Sequence, residues 1–162
     1  MNKKEVYDYL NKKNIKYEVI EHEAVRTMEE STKIGVLYPD GDAKNLFVRD
    51  DKKRNYYLIT VKGDPRVDLK EFKNKYNTRT LSFASEKDLW DKMKLIPGSV
   101  TPLGLLNDND KKIIFFLDKA FFNGSNMIAV HPNENTATVW LNVNDLVEII
   151  KEHGNQINIV DI

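Results

Sequence analysis

Nine residues in the second half of the chain constrain its fold more than any other stretch: Ile96-Pro97-Gly98-Ser99-Val100-Thr101-Pro102-Leu103-Gly104. Pro97 and Pro102 lack a backbone donor and hold φ fixed, so neither a helix nor a central strand is expected to run through. Gly98 and Gly104 permit positive φ or a close approach of backbone. The expectation is a rigid loop that leaves free N–H groups at Gly98, Ser99, Val100 and Thr101, flanked by two small hydroxyls. Such a loop can receive a carbonyl oxygen or a developing oxyanion. On composition alone it reads first as an ordinary connection, because most Pro/Gly loops only join elements.

The loop needs a frame, and 162 residues supply one. That length is most simply a single domain, residues 1–162, with one real core. Apolar residues make up 41% and charged residues 31%, a soluble globular balance. The absence of cysteine excludes disulfides, thiolate zinc sites and cysteine nucleophiles, and fits a reducing compartment. No apolar run approaches the ~20 residues that span a bilayer. The first residues lead straight into an amphipathic pattern with no visible signal peptide, so a cytoplasmic location and no membrane partner are expected. With 25 basic and 25 acidic residues the formal net charge is zero. Any contact with nucleic acid must therefore come from a local basic patch.

Periodicity places the elements. Residues 2–14 read as a helix capped by Asn2, with Glu5 three residues on and Val6, Tyr9 and Leu10 on one face. A short strand follows at 17–20. Thr27 and Glu30 have capping-box spacing, and Gly35 can stop that short helix. Residues 44–48 and 56–61 read as a hairpin. Asp68 caps a helix with a Leu69, Phe72 and Tyr76 stripe, and Val67 is placed to staple Phe72. A strand at 79–84 precedes a helix capped by Ser85, with Leu89, Trp90 and Met93 inward. Ile113 to Leu117 is a continuous apolar run of strand length, expected to be buried on both faces. A second hairpin pairs 127–130 with 136–141. The last long helix begins near Asn142 and ends at Gly154, before an edge strand at 157–160. Hairpin pairs interrupted by short helices make this an α+β chain, a mixed curved β-sheet surrounded by short helices.

The residues able to do chemistry are few. No P-loop, GxGxxG or GxSxG occurs, and His22, His131 and His153 are too scattered for a local metal motif. Lys44 shares a strand face with Leu46 and Val48, where a lysine either snorkels to solvent or holds a phosphate or carbonyl as a point charge. Asn45 can donate and accept beside it, or simply serve the turn. Arg49, Lys52, Lys53 and Arg54 cluster at a hairpin tip, where Asp50 and Asp51 partly cancel them. His131, at a strand end before Pro132, can orient a substrate or a water, or sit satisfied in a turn. His22 lies between Glu21 and Glu23 and reads as a surface residue, and His153 as structural or exposed. Phe115, Phe116, Trp90 and Trp140 read as core.

Several landmarks carry a likeness beyond these local readings. They are Glu21-His22, Thr27-Met28-Glu29-Glu30, Lys44 to Asp50, Val67 to Lys70, Leu81 to Ser85, Pro97 to Gly104 and His131 to Thr138. In this order and spacing, over nearly the whole chain, they resemble the YbaK/ProX family of free-standing prolyl-tRNA editing proteins, the prolyl-tRNA synthetase-associated domain. The resemblance implies a mixed α/β fold with a curved sheet and a hydrolase that deacylates mischarged tRNA in trans. The likeness leans to members that clear alanine from proline tRNA, with cysteine as the alternative. It implies catalytic roles for Lys44, Gly98 and Ser99, and substrate-binding positions at Asn45, Thr101 and His131. It implies no metal and no cofactor. The expected partners are mischarged tRNA(Pro) and, in addition, prolyl-tRNA synthetase, for a protein acting as a monomer. Two readings from other classes stand beside it: a non-catalytic tRNA-binding module, and a hydrolase of small aminoacyl compounds.

Overall fold

The computed structural model describes residues 1–23 and 36–162. The capping box at Thr27–Glu30 and the stop at Gly35 lie outside the described residues. Helix α1 (Lys3–Lys12) begins as expected: the Asn2 side chain accepts the Glu5 N–H, and Glu5 returns the bond to the Asn2 backbone. Val6 and Leu10 are its buried residues. Strand β1 (Tyr17–Glu21) follows, then β2 (Ala43–Asp50) and β3 (Tyr56–Lys62), paired antiparallel with Lys44 opposite Val61.

The tip of that hairpin is organised by Asp50, which is 1% exposed. Its carboxylate accepts the N–H groups of Lys52 and Arg54 and the Asn55 amide. Burial works against the charged form, but these bonds outweigh it and hold the Asp50 carboxyl below its usual range. The basic cluster is thus the dressing of a tight turn, and Arg49 is spent in an ion pair with Asp88.

Helix α2 (Leu69–Tyr76) is capped by Asp68, which accepts from Lys70 and Glu71 N–H. Strand β4 (Leu81–Phe83) is shorter than the expected 79–84. Helix α3 (Glu86–Met93) starts on a reciprocal box between Ser85 and Asp88. Leu89 and Met93 face the core as expected, but Trp90 does not: it is 53% exposed. An eight-residue helix presents a narrow buried stripe. Leu89 and Met93 at i, i+4 already fill it, which turns the adjacent position outward.

Strand β5 (Ile114–Asp118) lies parallel to β3 on one side and to β8 (Ile157–Val160) on the other. Phe115 and Leu117 enter one core cluster and Phe116 the other, so the strand is buried on both faces. Strands β6 (Met127–Val130) and β7 (Ala137–Asn142) form the second hairpin, and α4 (Val143–His153) closes on Gly154. The strands divide into two sheets, a mixed five-stranded one ordered β4-β2-β3-β5-β8 and an antiparallel three-stranded one ordered β1-β7-β6. The larger cluster lies between them, under α1, α3 and α4. The smaller lies on the far face of the five-stranded sheet, under Phe72 of α2. Among the described residues no helix is long and apolar enough to cross a membrane.

Candidate active site

The central loop is built from a tight turn and a short helix rather than one irregular segment. Pro97 and Gly98 occupy the corners of a turn in which the Ser99 N–H donates to the Ile96 carbonyl at 3.0 Å, with Gly98 at φ +89°. Three residues on, Pro102 opens a 3-10 helix (Pro102–Asn107). Its missing donor costs nothing there, because the first N–H of a helix is unsatisfied anyway. Two expectations are corrected by this geometry. The stretch does enter a helix at Pro102, and the Ser99 N–H is not free, because the Pro-Gly turn consumes it. The N–H groups of Gly98, Val100 and Thr101 donate to no acceptor among the described residues.

Thr101 has no solvent exposure and holds the loop to the second hairpin. Its Oγ1 accepts the His131 N–H and donates to the His131 carbonyl, both at 3.1 Å. Gly98 sits against the same hairpin, where an added Cβ would lie 3.5 Å from Asn135 Nδ2. Loop and His131 therefore form one unit.

His131 Nδ1 lies 3.2 Å from the Ala137 carbonyl, which can only accept, so the proton is on Nδ1 and the lone pair on Nε2. Burial, more than anything else, pushes the His131 pKa down, with nearby His22 adding to the effect. The ring is thus neutral near pH 7. His22, read from sequence as a surface residue, is half-buried: Nδ1 meets the Glu23 carbonyl at 2.7 Å and Nε2 meets Thr138 Oγ1 at 3.0 Å. With Ile20 opposite Thr138 and Val139 opposite Val130, His22, Thr138 and His131 form a row across one face of the three-stranded sheet. Register across β1-β7-β6 would have revealed the row, but the histidines are more than a hundred residues apart in sequence. Glu21, next to His22, is held below the ordinary carboxylate range by hydrogen bonds from Lys3 and Tyr7.

Lys44 stands apart from this unit. It shares the face of Leu46 and Val48, both members of the smaller cluster under α2. Its Nζ donates to the Pro65 carbonyl at 3.0 Å and lies 3.5 Å from Asp64. Asn45 is on the opposite face, that of Phe47 and the larger cluster. Its Oδ1 accepts the hydroxyl of buried Thr60 at 2.6 Å. The structure joins Gly98, Ser99, Thr101 and His131, and places Lys44 and Asn45 on opposite sides of one strand. No group of three or more acidic, histidine or cysteine residues able to hold a metal ion occurs among the described residues.

Residues 22–149 match the family model of the aminoacyl-tRNA editing domain. Over 160 residues the chain is 41% identical to the prolyl-tRNA editing protein ProX of Acetoanaerobium sticklandii, a match covering 99% of this chain and 97% of that protein. It is 35% identical over 144 residues to prolyl-tRNA synthetase associated domain-containing protein 1 of Mus musculus, covering 87% of this chain and 85% of the relative. The fold matches a solved structure provisionally described as a trans-editing enzyme for prolyl tRNA synthetase. The TM-score is 0.72 at 20% identity, over 99% of this chain and 96% of that one.

Proposed function

We propose that this chain, which belongs to the aminoacyl-tRNA editing domain family, is a trans-editing hydrolase that clears alanine from mischarged proline tRNA, acting as one editing domain over residues 1–162. The observation that carries this reading is the 41% identity, over nearly the full length of both chains, to a prolyl-tRNA editing protein.

The substrate is an aminoacyl ester of a ribose hydroxyl, already activated, so no covalent nucleophile is needed. Water adds to the carbonyl carbon, the ester C–O bond breaks, and the ribose oxygen leaves as a hydroxyl with the water's proton. The carbonyl oxygen becomes anionic on the way. The N–H groups of Gly98, Val100 and Thr101 are the donors for it, since the turn takes that of Ser99. One such donor is typically worth ~10²–10³ in rate. Ser99, 1% exposed, shapes the loop floor. His131 offers the Nε2 lone pair to the attacking water or to the neighbouring ribose hydroxyl, while Thr101 and Ala137 fix its orientation.

Lys44, which stands apart from the loop, anchors the terminal phosphate. To do so its ammonium leaves Pro65 and Asp64, and this exchange is cheap. The pair is partly exposed, 34% for Lys44 and 56% for Asp64, and exposed ion pairs are worth only about 0–1 kcal/mol. Asn45, tied to Thr60, lines the far side of the strand. Selectivity follows from size: a site that fits alanine excludes the proline ring sterically, which is the second sieve of an editing system. Cysteine is nearly as small as alanine and is the competing substrate.

The test is release of amino acid from proline tRNA charged with alanine, with cysteine and with proline. Release of alanine with retention of proline supports the reading. Intact tRNA binding without release of any of the three overturns it.

A further inference from the structure

Trp90 belongs to neither core cluster. It is 53% exposed on α3, in a chain whose other tryptophan, Trp140, is 2% exposed. Four residues on, Lys94 ends the helix in the left-handed conformation, its N–H bonded to the Trp90 carbonyl. Its Nζ stands 5.8 Å from the centre of the Trp90 ring. Ile96 follows, 58% exposed, and its carbonyl closes the turn that carries Gly98. An exposed aromatic, a lysine and an exposed aliphatic therefore run continuously into the proposed oxyanion loop. The segment is rigid. The Met93 carbonyl accepts the Asn107 amide at 2.7 Å, and Met93 and Leu95 pack against Gly104, where an added Cβ would lie 2.9 and 2.5 Å from them.

Two of the three acidic residues of α3 are held in ion pairs, and Glu86, one turn before Trp90, is in none among the described residues. Asp88 is bound by Arg49 and Asp91 by Lys87. Lys92 lies 4.3 Å from the Tyr56 ring. Neither Lys92 nor Lys94 has a carboxylate partner among the described residues. The exposed end of α3 thus presents the Trp90 ring with one cation, Lys94, beside it, while Lys92 is turned toward Tyr56. That combination stacks unpaired bases and tracks their phosphates.

We propose that Trp90, with Lys94, is the docking platform for the single-stranded 3′ end of the tRNA, a base stacking on the Trp90 ring as the terminal ribose enters the Gly98 loop. This rests on the editing reading, and continuity with the loop fixes the occupant as unpaired RNA. Stacking on one aromatic is worth roughly a 5- to 150-fold change in affinity.

Tryptophan fluorescence tests it directly, because Trp140 is shielded. Titration with uncharged proline tRNA, or with a short unpaired oligoribonucleotide of its 3′ end, is expected to quench Trp90 emission, and the quenching is expected to vanish in Trp90→Phe. In deacylation, Trp90→Ala is expected to raise KM about tenfold with kcat little changed, and Trp90→Phe to restore KM. Unquenched Trp90 emission at saturating RNA, or an unchanged KM in Trp90→Ala, overturns the platform and leaves the editing reading intact. Absence of deacylation in the wild type overturns the editing reading, and the quenching titration alone then decides the platform.

Discussion

Replacing Thr101 by valine removes one hydroxyl and almost no volume, so it isolates the two hydrogen bonds that join the loop to His131. Thr101 is fully buried, and water cannot easily take the place of its hydroxyl. The His131 N–H is left without an acceptor, at a cost of ~1–3 kcal/mol, while the His131 carbonyl loses a donor it needs less. A destabilisation of about 2 kcal/mol is expected, which in a domain of this size lowers Tm by roughly 4–8 °C. Thr101→Ser keeps the hydroxyl and loses one methyl, worth about 1 kcal/mol. Urea and thermal denaturation of the three proteins measure the difference. Activity is expected to fall further than stability in the valine variant, because a 1 Å displacement of aligned groups costs up to ~10²-fold, and to survive in the serine variant. A valine variant as stable as wild type, or a serine variant more damaged than valine, refutes the argument that the hydroxyl clamps the site.

Two glycine substitutions separate strain from crowding. Gly98→Ala, at φ +89° with room for a methyl, is expected to cost about 1–2 kcal/mol through backbone strain alone. Gly104→Ala meets Leu95 Cδ1 at 2.5 Å and should cost about 1–3 kcal/mol through overpacking, an effect that Leu95→Ala relieves if steric. Both are read by chemical denaturation. His131 is expected to titrate below the ordinary histidine value of ~6.5 when followed by NMR of its ring protons. A histidine whose folded pKa is depressed contributes stability that is present above the unfolded pKa and is lost as pH falls through the folded one. The stability curve should therefore decline on the acid side of 6.5 partly through this ring, and a His131 midpoint above that value contradicts its assignment as half-buried and neutral. Lys44→Ala should leave stability within about 1 kcal/mol, since only a partly exposed pair and one bond are lost.

Local signals carried most of the fold. Asn2, Asp68, Ser85 and Asn142 cap helices where the residue types said they should. The run from Ile113 to Leu117 is buried on both faces, because the larger core cluster covers one face of β5 and the smaller the other. Trp90 was illegible because hydrophobicity cannot say which flank of a short helix meets the core. The loop was legible as a place of tight turns and not as a hydrogen-bond pattern. Only the geometry shows that Pro97-Gly98 spends the Ser99 N–H and that Pro102 starts a helix. The pairing of Thr101 with His131 and of His22 with Thr138 depends on strand register over long separations, which local periodicity does not encode. Alternation put Lys44 on the face of Leu46 and Val48, and the bond to Pro65 depends on a turn some twenty residues away.

Deacylation of proline tRNA charged separately with alanine, cysteine and proline, by the wild type and by Lys44→Ala, tests the central claim most directly. The account predicts rapid release of alanine, retention of proline, and loss of that release in a Lys44→Ala protein that remains folded. Release of none of the three by a folded wild type, or full activity in Lys44→Ala, contradicts it.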